Sequence, residues 1–267
     1  QDKDYARRLL RASRDALGLE PAAIINTHAH SDHFGGNDWL LKRLPDATVH
    51  APAGAATIIR EPYLQPGSLW YGANPPAELL RKWTHGKPSR VDEELSAGPA
   101  EVAGVPLTFI EAPGHARDQL AVLSGDVLIA ADGLFGRELL EKYPLPFAYD
   151  PGLMLESFGR LGAAGARVAV PGHGAPEEPA ELARLNRETV EHVTETLLEL
   201  LEAGPATGEE LLAALLPRLG MEATDLVRYQ LNQSTLAAWL SWLRREERAD
   251  CAVSGNRLVW HARQLPY

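Results

Sequence analysis

The chain has 267 residues, 45% of them hydrophobic and 23% charged, with a formal net charge of −10. These proportions exclude a disordered chain, and the acidic balance argues against a general polyanion-binding surface, so nucleic acid is not an expected partner. The lone cysteine, Cys251, allows no intrachain disulfide and points to a reducing, cytoplasmic setting; no apolar run reaches membrane-spanning length and no signal-peptide pattern is present.

Residues 3–17 read as a helix with Tyr5, Leu9, Ala12 and Ala16 on its apolar face and Gly18 placed to end it. Residues 22–26 make a short buried strand that runs into Thr27-His28-Ala29-His30-Ser31-Asp32-His33-Phe34-Gly35-Gly36. His28 and His30 alternate as neighbours leaving a strand, while Asp32 and His33 follow a turn that Gly35 and Gly36 permit. Imidazole and carboxylate together suit zinc, iron or manganese, and four such groups this close need a cation to offset their desolvation. A solvated polar loop requires no such arrangement.

Residues 39–44 read as a helix, 48–51 as a strand and 53–60 as a helix, an alternation that predicts an α/β layered domain. Over 61–95 the periodicity fails, and Pro62, Pro66, Pro75, Pro76 and Pro88 interleave with Tyr63, Trp70, Tyr71 and Trp83. This stretch is expected to be an insertion without strong structure, either covering a core edge or hooding a site with Trp70 and Tyr71 as substrate-pocket residues.

Three apolar strands follow. Residues 107–111 run into Pro113-Gly114-His115, 119–123 turn at Ser124-Gly125-Asp126, and 127–131 end at Asp132-Gly133. A helix over 151–162 leads to a strand over 167–170, which ends in Pro171-Gly172-His173-Gly174. His115, Asp132 and His173 therefore each stand just past the carboxyl end of a strand, where side chains from several strands converge. His50, His85, His192 and His261 lack a ligand-like partner and read as surface or hydrogen-bonded structural residues.

Residues 178–203 form one long connecting helix, which Gly204-Pro205 breaks. Helices over 207–216 (Thr207 and Glu210 at capping-box spacing) and 234–246, a helical turn over 225–229 and two strands around Ser254-Gly255-Asn256 complete the chain. This order resembles a winged-helix module over 204–267. The module has no Lys, and its seven Arg are balanced by seven Asp and Glu, so it is expected to be structural or oligomer-forming and not a DNA reader. Leu236, Trp239, Leu240, Trp242 and Leu243 then need a surface to pack against, on the catalytic domain or on a second copy in a homodimer.

Taken together and in this order, H-x-H-x-D-H, P-G-H, A-D-G and P-G-H-G resemble the metal-binding signature of the metallo-β-lactamase-fold hydrolases, over roughly residues 1–175. The resemblance implies a four-layer αββα sandwich over 1–177 followed by the winged-helix-like domain. It further implies that His28, His30 and His115 hold one metal ion, that Asp32, His33 and His173 hold another, and that Asp132 bridges both. Two divalent cations are expected, zinc foremost with iron or manganese as alternatives, and Asp32 and Asp132 become the catalytic carboxylates. The implied reaction is attack by a metal-bridging hydroxide on a small ester, thioester or lactone. Asp at position 132, where β-lactam-hydrolysing relatives typically carry Cys, resembles the glyoxalase II-like branch.

Two features depart from the family pattern. The strands that normally precede the first helix are absent and the chain opens on Gln1, so upstream sequence is expected. After His115 many relatives continue with Thr and small residues, whereas this chain has Ala116-Arg117-Asp118-Gln119; Arg117 is expected either to pair with Asp118 or, less favoured, to meet an anionic substrate. Residues 178–267 offer no convincing counterpart of the basic and Tyr residues with which glyoxalase II holds glutathione. Other readings are a nuclease of the same fold, a mononuclear iron persulfide dioxygenase, and a non-enzymatic metal-binding protein.

Overall fold

The first helix is amphipathic on a different stripe from the one its apolar residues suggest. In the computed structural model, which describes residues 3–263, α1 (Lys3–Arg11) buries Ala6 and Leu10, and Ala12–Ala16 continues it as a π-helical turn. Tyr5 and Leu9 are exposed, while Leu10 packs with Leu44 and Ala47, which selects the buried stripe.

The chain folds as two compact units, Gln1–Glu111 with Asp118–Gly125, and Ala112–Arg117 with Asp126–Tyr267. In the first, β1 (Ala23–Ile25), β2 (Thr48–Pro52) and β3 (Glu93–Leu95) form a parallel sheet with Ile24 opposite Val49 and Ala51 opposite Glu94. The crossover from β1 to β2 carries two short helices, α2 (Ser31–Phe34) and α3 (Asn37–Leu41). Helix α4 (Ala53–Arg60) follows β2 directly and buries Ala55, Ala56 and Ile59. Phe34, Val49, Ala51, Val91 and that face of α4 make one core cluster. Full burial of a Phe contributes about 2 kcal/mol, so this cluster ties α2 to the sheet.

The stretch expected to lack strong structure is partly ordered, with α5 (Leu64–Leu69), a 3₁₀ turn at Ala77–Leu79, and β3 at its end. The expectation missed β3 because its neighbours are charged and only three residues pair; Asp92, whose carboxylate takes the Val49 amide at 2.8 Å, sets its register. Next come β4 (Gly98–Val102), β5 (Val105–Glu111) and β6 (Leu120–Ser124), paired antiparallel in that order. Ala103 and Gly104 both have positive φ, 50° and 78°, as the two-residue hairpin between β4 and β5 requires. Gly98 and Pro99 disguise β4 in the sequence.

In the second unit β7 (Val127–Ala131) pairs parallel with β8 (Val168–Pro171). Between them lie α6 (Arg137–Lys142) and α7 (Pro151–Gly162), whose N-terminus is capped by the Asp150 carboxylate on the Gly152 and Leu153 amides. Helix α8 (Pro179–Ala203) has Glu178 as its N-cap and Pro179 as its first residue. Beyond it stand β9 (Ala206–Thr207), α9 (Gly208–Arg218), α10 (Leu226–Arg245), β10 (Ala249–Ser254) and β11 (Arg257–Ala262), with β11 between β10 and β9 in an antiparallel sheet. The capping box of Thr207 and Glu210 forms in both directions. The turn expected over 225–229 and the helix over 234–246 are one helix, because Asp225 caps it at the Arg228 amide and no breaker follows.

The apolar residues of α10 find their surface within the chain. Trp239 is fully buried with its Nε1 donating to Thr194 Oγ1 of α8 at 3.1 Å, and Trp242 lies against Gly152 of α7, where an added Cβ would come within 2.6 Å of Nε1. Arg245 pairs with Asp150, joining the same two helices. Among the described residues no helix is long and apolar enough to cross a membrane.

Candidate metal centre

In the first unit the ligand segment starts where β1 runs out. The Asn26 amide still bonds to the His50 carbonyl at 2.8 Å, Thr27 O accepts the Leu120 amide at 3.0 Å, and the buried Asn26 side chain accepts from Asn37 Nδ2 at 2.8 Å. The chain is thus held from both sides before it reaches His28. His28 is fully buried, and Thr27 Oγ1 meets its Nδ1 at 3.1 Å, which leaves Nε2 as the ligand atom. His30, in extended conformation (φ −73°, ψ 140°), is the N-cap of α2. That change of backbone direction brings the later pair back: ring centroids lie 4.8 Å apart for His28 and His30 and 4.2 Å for His28 and His33, with His33 Nε2 3.6 Å from Asp32 Oδ2. His28, His30, Asp32 and His33 are therefore gathered.

In the second unit the candidate residues are aimed by backbone. Gly114 has φ 127°, and a Cβ there would stand 2.3 Å from the Met154 amide nitrogen, so only glycine fits. Its carbonyl accepts the amides of Tyr149 and Asp150 at 2.8 and 2.9 Å, and Ser157 Oγ donates to the Pro113 carbonyl at 2.7 Å. His115 Nδ1 donates to the Phe147 carbonyl at 2.9 Å, which fixes the proton there and presents Nε2 inward. Phe135 and Phe147 wall the imidazole edge-on at 5.3 and 5.8 Å.

Asp132 follows a bulge in the pairing of β7 with β8, and Ala131 before it holds φ 47°, a left-handed value for a residue with a Cβ. The Gly172 amide bonds to the Ala131 carbonyl at 2.8 Å, which helps sustain that conformation. Asp132 is 5% exposed, and its Oδ2 lies 3.3 Å from His115 Nε2 and 3.8 Å from His173 Nε2. His173 is held by its carbonyl, which accepts the Gly136 amide at 3.0 Å; Gly136 and Gly174 approach so closely that a Cβ on either would meet the other's Cα at 2.8 Å.

A buried carboxylate oxygen facing the Nε2 atoms of two imidazoles, one with its proton committed to the far nitrogen, is a donor set that a divalent cation fits. The described residues include His and Asp groups that could hold a metal ion.

The remaining predicted residues stand apart in kind. Trp70 is half-buried and Tyr71 is 76% exposed with φ 58°, their rings 6.2 Å apart. Arg117 is exposed, and the pairing expected with Asp118 gives way to a cap: the Asp118 carboxylate accepts the Gly54 amide at 2.6 Å and the Ala55 amide at 3.3 Å at the start of α4. A helix amide without an intrahelical partner is a stronger claimant than an exposed guanidinium. His50 is a buried structural histidine, bonded to Thr48 Oγ1 at 2.8 Å.

Three supporting residues escaped the sequence reading. Asn186 of α8 is 1% exposed and brackets Phe135, accepting its amide at 3.0 Å and donating to its carbonyl at 2.8 Å. Gln65 and Gly86 touch α2, as described below. A polar residue on the buried stripe of α8 was the only available signal for Asn186; nothing local marked the other two.

The description "Metallo-beta-lactamase superfamily" matches residues 2–173. The chain belongs to the metallo-β-lactamase superfamily. Among curated relatives, a hydroxyacylglutathione hydrolase from Thiobacillus denitrificans is 29% identical over 122 residues, 46% of this chain and 36% of that protein. One from Xylella fastidiosa is 28% identical over 146 residues, 55% of this chain and 43% of that protein. The chain thus spans less than half the length of these relatives. A metallo-β-lactamase family protein from Thermus thermophilus superposes with a TM-score of 0.72 at 26% identity, over 96% of this chain and 86% of that one. A beta-lactamase domain protein from Burkholderia ambifaria gives 0.70 at 17% identity, over 98% and 80%, and shares the fold. The mixed α/β architecture with several sheets is that of the metallo-β-lactamase fold.

Proposed function

We propose that the chain is a dinuclear metal-dependent hydrolase of a small ester, thioester or lactone that uses two divalent ions, zinc foremost. The observation that supports the reading is Asp132, a buried carboxylate whose Oδ2 lies 3.3 Å from His115 Nε2 and 3.8 Å from His173 Nε2. His28, His30 and His115 would hold one ion and Asp32, His33 and His173 the other.

A pair of divalent ions supplies a water of lowered pKa and polarises the bond under attack. The chain's own residues do the rest. The Phe147 carbonyl holds the proton of His115 on Nδ1, and Thr27 Oγ1 engages His28 Nδ1, so both rings keep Nε2 for coordination. Phe135 and Phe147 exclude water from one edge of His115. Trp70 and Tyr71 are proposed as an apolar wall for substrate.

Support for a thioester comes from the hydroxyacylglutathione hydrolases among the relatives. Residues 204–267 read as a winged-helix-like module with a structural role, supported by the order of α9, α10, β10 and β11 and by the balanced charge. The lone Cys251 favours a reducing cytoplasm.

The test is metal analysis of protein purified without added metal, run beside a panel of an ester, a thioester, a lactone and RNA. Two zinc ions per chain with turnover of an acyl substrate is the expected outcome. One iron ion with oxygen consumption on a persulfide, or turnover of RNA alone, would replace the reading.

A further inference from the structure

Helix α2 is a single turn, too short to hold its shape by its own backbone bonds, and it carries Asp32 and His33 between Ser31 and Phe34. Both flanking residues are gripped by the insertion. Ser31, 1% exposed, donates from Oγ to Gln65 Oε1 of α5 at 2.8 Å. Phe34, fully buried, has its ring edge where a Cβ on Gly86 would stand, 2.7 Å from Cε2 and Cζ.

The insertion is cross-tied between those two contacts. The Tyr63 ring meets His85 edge-on at 6.2 Å, and the Tyr63 hydroxyl donates to Asn74. A third tie follows α2 in the chain, where Asn37 Nδ2 donates to Ser89 Oγ at 3.2 Å. The grip is therefore specific in chemistry and in place: one hydrogen bond before the two ligands, one ring contact after them.

We propose that this insertion is a positioning frame for the part of the metal centre carried by α2, with Gln65 and Gly86 as positioning residues for Asp32 and His33. The proposal rests on the dinuclear reading for its metal readout, and on the fold alone for its second readout. Loss of the Gln65 acceptor leaves a buried hydroxyl without its bond and frees the turn to rotate, which moves Asp32 and His33 while leaving His28, which precedes the turn, in place.

The test compares Q65L, Q65E and G86A in the full chain. Zinc affinity is measured by competition with a chromophoric chelator, and exchange of the His33 and Phe34 amides, both bonded to the His30 carbonyl, is measured in metal-free protein. Q65L is expected to weaken one of the two ions about 10- to 100-fold and to speed exchange at both amides, with G86A acting in the same direction. Q65E keeps an oxygen acceptor for Ser31 and is expected to restore slow exchange. Wild-type zinc affinity together with unchanged exchange in Q65L overturns the proposal, as does an equal loss of both ions with a lowered melting temperature of the metal-free protein. Failure of the unsubstituted chain to bind zinc defeats the dinuclear reading instead, and the exchange data then decide the frame by themselves.

Discussion

The two sets of proposed ligands are built by different means. His115, Asp132 and His173 are aimed by backbone: a glycine that no other residue can replace at 114, a left-handed alanine at 131, and a glycine pair at 136 and 174. Asp32 and His33 are aimed by side chains distant in sequence, through Gln65 and Phe34 packed at Gly86. The glycine devices are rigid and leave no room for a Cβ, whereas side-chain devices tolerate conservative exchange and tune affinity. The contrast predicts that substitutions on the first set damage the fold or abolish the site, and that substitutions around the second grade it.

The largest expected effect is that of Asp132→Ala. It removes the proposed bridging ligand while β7 keeps its apolar residues, so turnover should fall by orders of magnitude and bound metal should drop, with circular dichroism unchanged. Wild-type turnover with two bound ions would remove Asp132 from the centre.

Gly114→Ala comes next, through stability. A methyl group 2.3 Å from the Met154 amide nitrogen at φ 127° must displace backbone, at a cost of about 2–4 kcal/mol, and the melting temperature should fall accordingly. An unchanged melting curve would show that this loop yields easily and that the backbone is not what aims His115.

Ala131→Gly sharpens the comparison with a smaller change. Glycine relieves the left-handed strain at φ 47° but admits more conformations to the unfolded chain, so stability should move by less than about 1 kcal/mol. Turnover should fall several-fold because the segment before Asp132 is loosened. A substitution that leaves kcat and metal content untouched would assign the strain to folding alone.

The smallest effect concerns the segment after His173. Arg137 pairs with Glu177 at 2.9 Å and Glu181 at 3.1 Å, and Arg184 joins Glu181 at 2.7 Å. Hydrogen bonding to Arg184 first and Arg137 second holds the Glu181 carboxyl down at about 2 against an ordinary value of 4.5. A depressed carboxyl stabilises the fold above its ordinary value, and that contribution is lost as pH falls from 4.5 toward about 2. Glu181→Gln should therefore flatten the acid limb of the stability curve in that window, by little because the pairs are solvent-screened. Chemical denaturation at pH 7, 4 and 3 measures it; an identical acid limb in the variant would place the acid sensitivity elsewhere.

Much of this protein was legible in one dimension. The candidate His and Asp residues could be singled out in the sequence because they cluster beyond apolar runs, and the end of an apolar run is a local property of sequence. Helices α4, α7 and α8 and the capping box at Thr207 were equally readable, since periodicity and caps act over a few residues. Tertiary structure alone decided which face of α1 is buried, because Leu10 rather than Leu9 meets Leu44 and Ala47. It also recruited Asp118 as a cap for α4 across 64 residues, joined β3 to a parallel sheet, seated Trp242 on Gly152, and tied Ser31 to Gln65. These contacts depend on segments meeting after the chain has folded back, where a buried donor takes whichever acceptor the packing delivers. The residue types that can hold a metal ion are written in the sequence, while the residues that hold those ligands still are chosen by the fold.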